Sequence, residues 1–510
     1  MFKTIQTKLR NPFPAGWFFK AVWLDWFVLA VYTALGVVMV LRHEPWSDEA
    51  QPWLLARDLD LPQLLGALFK NYDRHPCLWY LVLSGLNKLG LPYISMAAAN
   101  LAFVLAAAAL ILFKAPFPRW FKYPLLFSYH LVYEYPAIAR SYGLTMLLLF
   151  TTVWLFDKRL RHPLLYGTAV FLLFNCEYIT LGFPAALTVL FALEILKKKD
   201  WNGSQSLALL LMIAGGILVF LQGANIPPDH IDYGKGPVYI PEWHFLSRSF
   251  FPFVYYVPES VSYAAGAVII VFAFWMLRAR PQLLFVLLSS FGMLFFIFKF
   301  RHMGDLRHFG FVPLILLAVT WLEDSFRKEH STGITAMRSK EQTGLLAALT
   351  LCFLLSMPYS YFAWKLDYHA VFSGGKHMSE MIRLVYQNFN LDKSQYVIAT
   401  HKHVTTASVL PYLPGHRFWI PAKKDFATYY LNTMDLKADD EMGYAEALQR
   451  IEEAFPDMTK VFVMLDTKLF VPDTEKYHYN LMIDMTPYFV FGYRYEKFYM
   501  YRATPKKQIS

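Results

Sequence analysis

The chain has 510 residues, 56% of them hydrophobic and 17% charged, with a mean hydropathy of +0.32; soluble domains carry about a quarter charged residues, which excludes an ordinary soluble enzyme. The formal charge of +10 calls for no nucleic-acid partner, because basic residues in a membrane chain are first accounted for by the loops flanking its spans. Cys77, Cys176 and Cys352 are isolated, without the spacing of a zinc site or a disulfide framework, and read as core or lipid-facing residues.

Residues 1–20 carry Lys3, Lys8, Arg10 and Lys20 and no acid, and the apolar run after them lacks a small-residue cleavage site. They predict a retained first span with a cytosolic N-terminus. Apolar runs then recur to position 362, many approaching the roughly 20 residues a helix needs to cross a ~30 Å hydrocarbon core. The predicted crossings are 22–41, 120–137, 141–156, 163–176, 179–196, 206–224, 261–277, 282–299, 308–323 and 344–362, with one more in the apolar stretch 76–113. The basic loop Lys114 to Lys122 requires an odd number of crossings there, so 76–90 is expected to form a shallow or re-entrant helix. The total is eleven, in a range of 11–13 if 76–113 is counted otherwise.

Basic clusters at 157–162, 197–199, 278–280 and 327–340 assign one side as cytosolic. The loops 42–75, 225–260 and 300–307 then lie outside. From residue 363 short apolar runs such as Tyr396 to Ala399 and Lys460 to Leu465 alternate with polar sequence, which reads as a soluble α/β domain. The expected organisation is therefore a helical bundle over 1–362 and an extracytoplasmic α/β domain over 363–510. No repeat period stands out, and Walker-type, Rossmann and His-Glu-x-x-His motifs are absent from the sequence.

The chemistry-bearing residues collect in the outer loops. Just after the first span, Glu44-Pro45-Trp46-Ser47-Asp48-Glu49 sets two adjacent carboxylates at the bundle mouth. Either acid would also serve as a helix cap, since carboxylates favour helix N-termini. The same loop ends at Asp73-Arg74-His75-Pro76-Cys77, so acids and a basic pair bracket it. Such a set suits a carboxylate base for a hydroxyl and cations for a departing phosphate, although Arg74 and His75 would equally meet lipid headgroups. Arg140 falls outside by the same alternation of sides, where it would otherwise snorkel. Arg301, His302, Arg307 and His308 crowd a single outer loop, against the positive-inside bias, and an anionic phosphate would explain them.

Asp48-Glu49-Ala50 after the first span, then His75-Pro76 with aromatics, resembles the GT-C superfamily of polyprenyl-phosphate-sugar glycosyltransferases. That group includes the protein O-mannosyltransferases, the aminoarabinose transferases of lipid A and the Rgt-type core transferases. Cys77 stands where the family's motif has a second proline, and Arg140-Ser141-Tyr142 is similar to its Arg-x-Tyr motif. The resemblance covers about 22–360 and implies a multi-pass protein of the bacterial inner membrane, with site and C-terminal domain facing outward. It implies a sugar passing from a polyprenyl-phosphate donor, with inversion, to a lipid, glycan or protein acceptor outside the cytosol. Asp48 would be the general base, with Glu49 beside it. Arg74, His75, Arg140, Tyr142, Arg301, His302, Arg307 and His308 would hold the donor phosphate, and Glu134 and Glu177 would orient the acceptor or a cation. A divalent cation is used by some members and not others. The competing readings are a flippase for a lipid-linked sugar and a non-enzymatic glycan-binding assembly protein. His401 and His403 share a strand-like spacing suited to a metal, or to plain solvation. The loop 225–260, amphipathic from Trp243 to Tyr256, would gate the donor or simply lie at the interface.

Overall fold

The computed structural model describes residues 16–198, 202–233, 244–252, 257–301, 304–330, 340–392, 395–485 and 496–506. The helices are α1 (Gly16–Arg42), α2 (Ser47–Asp58), α3 (Leu61–Phe69), α4 (Leu78–Lys88), α5 (Ile94–Phe113), α6 (Arg119–Leu126), α7 (Tyr142–Phe156), α8 (Pro163–Phe174), α9 (Gly182–Lys198), α10 (Gly203–Ala224), α11 (Glu259–Leu277), α12 (Pro281–Phe300), α13 (Phe311–His330) and α14 (Lys340–His369). Seven stretches among the described residues are apolar and long enough to cross a membrane, on α1, α5, α10, α11, α12, α13 and α14.

Two further apolar helices, α7 and α8, are shorter than such a span. The described residues thus hold seven spans of full length where the sequence predicts eleven crossings. The protein is a multi-pass membrane protein with a C-terminal sheet domain.

The departures from the predicted spans have local causes. The stretch 120–137 is not one helix but α6, a π-turn at His130–Glu134 and a single turn at Tyr135–Ala137, with Pro124 and Pro136 in its path. Proline removes a backbone donor and crowds the preceding turn. The break survives because residues 129–146 are buried by neighbouring helices, where freed backbone groups find protein partners. Asn100 supplies one, donating to the carbonyls of Tyr135 (2.7 Å) and Ile138 (3.3 Å) from the middle of α5. Gly143 lets α7 close on α5 there, since a Cβ would strike Asn100 and Val104. The region 76–113 splits at Gly90 into the 11-residue α4 and the 20-residue α5. At 1.5 Å per residue α4 is too short to span.

Helix α14 is 30 residues long and runs past position 362 to His369. Its end therefore projects from the bundle toward the C-terminal domain. That domain holds a six-stranded mixed sheet of β1 (Val397–Thr400), β2 (Phe418–Ile420), β3 (Asp425–Ala427), β4 (Val461–Leu465), β5 (Tyr477–Met485) and β6 (Phe498–Pro505), in the order β3-β2-β1-β4-β6-β5. Strand β1 is parallel to β2 and β4, and the other pairings are antiparallel. Both faces of β4 are buried, as a continuous Val-Phe-Val-Met-Leu run requires.

The joint between bundle and domain is α2. Ala50 and Leu54, one turn apart, pack into the sheet domain beside Met378, Phe418 and Met500. Trp53 and Ala56 face the bundle core. Buried on two sides, α2 cannot shift without disturbing both bodies.

Candidate functional site

Helix α2 starts where the chain leaves α1 through Pro45, and its first turn carries Ser47, Asp48 and Glu49. Residues 100° apart on a helix point different ways, and the two acids diverge. Glu49 turns inward: Oε1 accepts from the Ala139 amide at 2.6 Å, while Oε2 takes the Trp46 amide at 3.3 Å and the His43 ring at 3.1 Å. Expected beside Asp48 as a catalytic acid, Glu49 is instead a buried cap. The His43 ring reaches Asp367 at the end of α14 with its other nitrogen, at 2.8 Å, and Tyr133 donates to the same carboxylate at 3.1 Å. With an acceptor on each nitrogen the ring must carry both protons. Burial opposes that charge, but Asp367 and Glu49 outweigh it and push the His43 pKa up to about 10.

Asp48 turns the other way and keeps its side chain 29% exposed. Its Oδ2 pairs with Arg307 Nη2 at 2.8 Å, and Arg140 donates to its backbone carbonyl. The Arg307 guanidinium lies 5.6 Å from the Trp46 ring centre and also meets Asp305 at 3.6 Å. Arg140 is buried. Burial disfavours its charge, yet Asp48, Tyr142 and Asp73 outweigh that cost and raise its pKa.

Arg140 Nη2 lies 2.6 Å from His75 Nε2. A guanidinium only donates, so Nε2 accepts and the ring proton is assigned to Nδ1, 3.6 Å from Glu177 Oε1. Ser141 donates to the other Glu177 oxygen at 2.5 Å. Burial alone would raise the Glu177 carboxyl, but His75, Ser141 and Arg140 hold it below the usual range. By the same reasoning the Asp305 amide donates to His308 Nδ1 at 2.9 Å, leaving Nε2–H to donate to the Tyr142 hydroxyl at 3.1 Å. In this arrangement the arginines supply the formal charge, and the two histidines supply direction.

The structure thus brings together Asp48, Arg140, Arg307, His75, Glu177, Tyr142 and His308. Arg74, expected beside His75, points away: it is exposed, paired with Asp232, and held at a φ of +57°. The left-handed turn explains this, because it throws Asp73 and His75 inward and leaves Arg74 outside. Glu134 lies in the bundle interior against Tyr129, at 2.5 Å, and not in this cluster. Arg301 is exposed at the end of α12. His302 and the stretches 234–243 and 253–256 of the proposed gate lie outside the described residues. Among the described residues no group of three or more His, Cys, Asp or Glu could hold a metal ion. His401 and His403 do not make a metal site: His401 bonds the Met442 carbonyl at 2.8 Å, and both rings are buried.

Asp73 was not singled out from the sequence. It is buried, accepts from the Tyr80 hydroxyl, and has Gln51 Nε2 at 3.5 Å. Gln51, one turn beyond Asp48, grips the backbone of Tyr430 in the sheet domain through both amide atoms. Asn432 adds two bonds to the Tyr72 carbonyl. Glu496, just before β6, accepts from the Ser47 amide at 2.8 Å and from Ser373. The C-terminal domain is therefore bonded directly to the helix that carries Asp48.

No family model and no curated protein matches the chain. Among solved structures it is similar to the crystal structure of ArnT from Cupriavidus metallidurans bound to undecaprenyl phosphate, with a TM-score of 0.49 and 12% identity over 96% of this chain and 98% of that chain.

Proposed function

We propose that the protein is an inverting glycosyltransferase of the bacterial inner membrane, moving a sugar from a polyprenyl-phosphate donor to an acceptor hydroxyl on the outer side. The observation that carries the proposal is one half-open carboxylate, Asp48, set between two buried arginines at the end of the bundle that meets the sheet domain. Asp48 accepts the proton of the acceptor hydroxyl as its oxygen bonds to the anomeric carbon. The bond from that carbon to the phosphate oxygen breaks, and the electron pair leaves with the carrier phosphate. Arg140 and Arg307 stabilise the phosphate charge, and Tyr142, turned by His308, donates to it. Glu49 supports Asp48 from behind by fixing the first turn of α2 to the segment that carries Arg140.

The test is to incubate purified protein with a radiolabelled polyprenyl-phosphate-sugar pool and envelope glycolipids, and to identify the product by mass spectrometry. A labelled glycoside supports transfer. Movement of the intact donor across a vesicle without product would replace the proposal with lipid-linked sugar transport.

A further inference from the structure

The buried charges of the site are unequal in their partners. Among its carboxylates, Asp48 is ion-paired with Arg307, and Glu177 is held by Ser141 and faces His75. Asp73 accepts, among the described residues, only from neutral donors, the Tyr80 hydroxyl of α4 and the Gln51 amide of α2. Among the described residues it is faced by Asp48 and Gln51 from α2, Tyr80 from α4, His75 on its own loop, Arg140 before α7, and Tyr430 from the sheet domain, whose phenol feels both Asp48 and Asp73. With His75 and His308 each accepting on one nitrogen, the cluster sets two arginines against three carboxylates. An arriving phosphate would add a further negative charge to a region with little water to screen it.

A proton relieves this at the carboxylate that loses least by taking one. Protonating Asp48 would break an ion pair, and protonating Glu177 would weaken its hold on the Ser141 hydroxyl and the facing His75 ring. Protonating Asp73 breaks no ion pair, and a buried carboxyl whose hydrogen-bond donors are neutral favours the uncharged form. Resting on the reading of the cluster as a phosphate site, we propose that Asp73 is the proton-accepting partner of donor binding: when the lipid-linked phosphate enters beside Arg140 and Arg307, Asp73 takes one proton from solvent. The step forms one O–H bond at Asp73 as a hydronium or buffer acid in solvent gives up its own, and the total charge of the loaded site equals that of the empty one. Burial, which lifts the Asp73 carboxyl to about 6 despite His75 and Arg140, agrees with this. Asp73 is thus a positioning residue. Its charge faces Arg140 until the donor's phosphate replaces it.

The experiment is isothermal titration calorimetry of the full-length protein in detergent with a farnesyl methyl phosphate diester, whose single charge does not titrate near neutral pH. Two buffers of different ionisation enthalpy report the protons taken up. The expected result is uptake approaching one proton per diester bound near neutral pH. The affinity should rise as the pH falls, by up to about tenfold per pH unit. Asp73→Asn should bind with no uptake and a flat pH dependence, while Glu496→Gln, a buried carboxyl outside the cluster, keeps the uptake. Tyr80→Phe removes a donor from the ionised form and should move the uptake to higher pH, which gives a second reading if Asp73→Asn folds poorly. Uptake that persists in Asp73→Asn, or that vanishes only in Asp48→Asn, overturns the assignment. Absence of diester binding by the wild-type protein would instead overturn the phosphate-site reading beneath it.

Discussion

Asp48 and Glu49 are neighbours on α2, yet one belongs to a half-open cluster with Arg307, Arg140 and His75 and the other to a closed chain, Asp367–His43–Glu49, whose side chains are 0–2% exposed. In the closed chain each His43 nitrogen and both Glu49 oxygens have protein partners. It joins the ends of α1 and α14 to α2 and to the segment before Arg140. In the open cluster Asp48 keeps part of its surface for another molecule. The contrast separates a network that holds the first turn of α2 in place from one that has capacity left for chemistry.

The largest expected effect breaks the closed chain. His43→Ala leaves two carboxylates buried around a missing cation, and removing one partner of a buried ion pair costs about 3–5 kcal/mol. Thermal unfolding in detergent should show a large loss of stability, with turnover per folded molecule within a few-fold of wild type. Unchanged stability with lost turnover would move His43 into the open cluster. Next in size, Arg307→Gln or Arg140→Gln should each slow transfer on the order of 100-fold, as loss of one placed charge stabiliser does. Their stability should change less than that of His43→Ala; a larger loss of stability than of rate would make them structural.

A smaller effect tests the seam with the sheet domain. Burial raises the Glu496 carboxyl from 4.5 to about 7, against the bonds from Ser373 and Ser47. A carboxyl raised on folding contributes stability fully below its unfolded value and loses it as the pH rises through its folded value. Wild-type stability should therefore fall as the pH climbs from 4.5 to about 7, by something on the order of 3 kcal/mol. Glu496→Gln should flatten that slope, and an unaltered slope would place the titration elsewhere. The smallest effect concerns Arg74. Glycine adopts its left-handed backbone freely, so Arg74→Gly should be about 1 kcal/mol more stable than Arg74→Ala. Both should leave diester affinity alone, and a shared loss of affinity would restore Arg74 to the phosphate site.

Much of the fold was legible because long apolar runs and basic loops obey simple physics. The stretch 119–140 was not, because its prolines and π-turn are tolerated only where other helices cover it, which no local window shows. Asp48, Arg140, Arg307, His75 and Glu177 could be named because charged residues at a bundle mouth need a reason. Arg74 was misplaced because sequence order does not reveal a positive φ. His43 and Asp367 are 324 positions apart, and Gln51 and Tyr430 are 379 apart; such pairings leave no mark on either local sequence. Asp73 gave the same kind of silence, since its burial depends on α4 and the sheet domain together.

The most direct test of the account is single-turnover transfer by Asp48→Asn, measured beside its affinity for the diester. The amide keeps the shape of the side chain and cannot accept the acceptor's proton. Donor binding within a few-fold of wild type and a transfer rate lower by roughly 100-fold or more is the predicted result. Undiminished transfer would remove Asp48 from the chemistry and contradict the account at its centre.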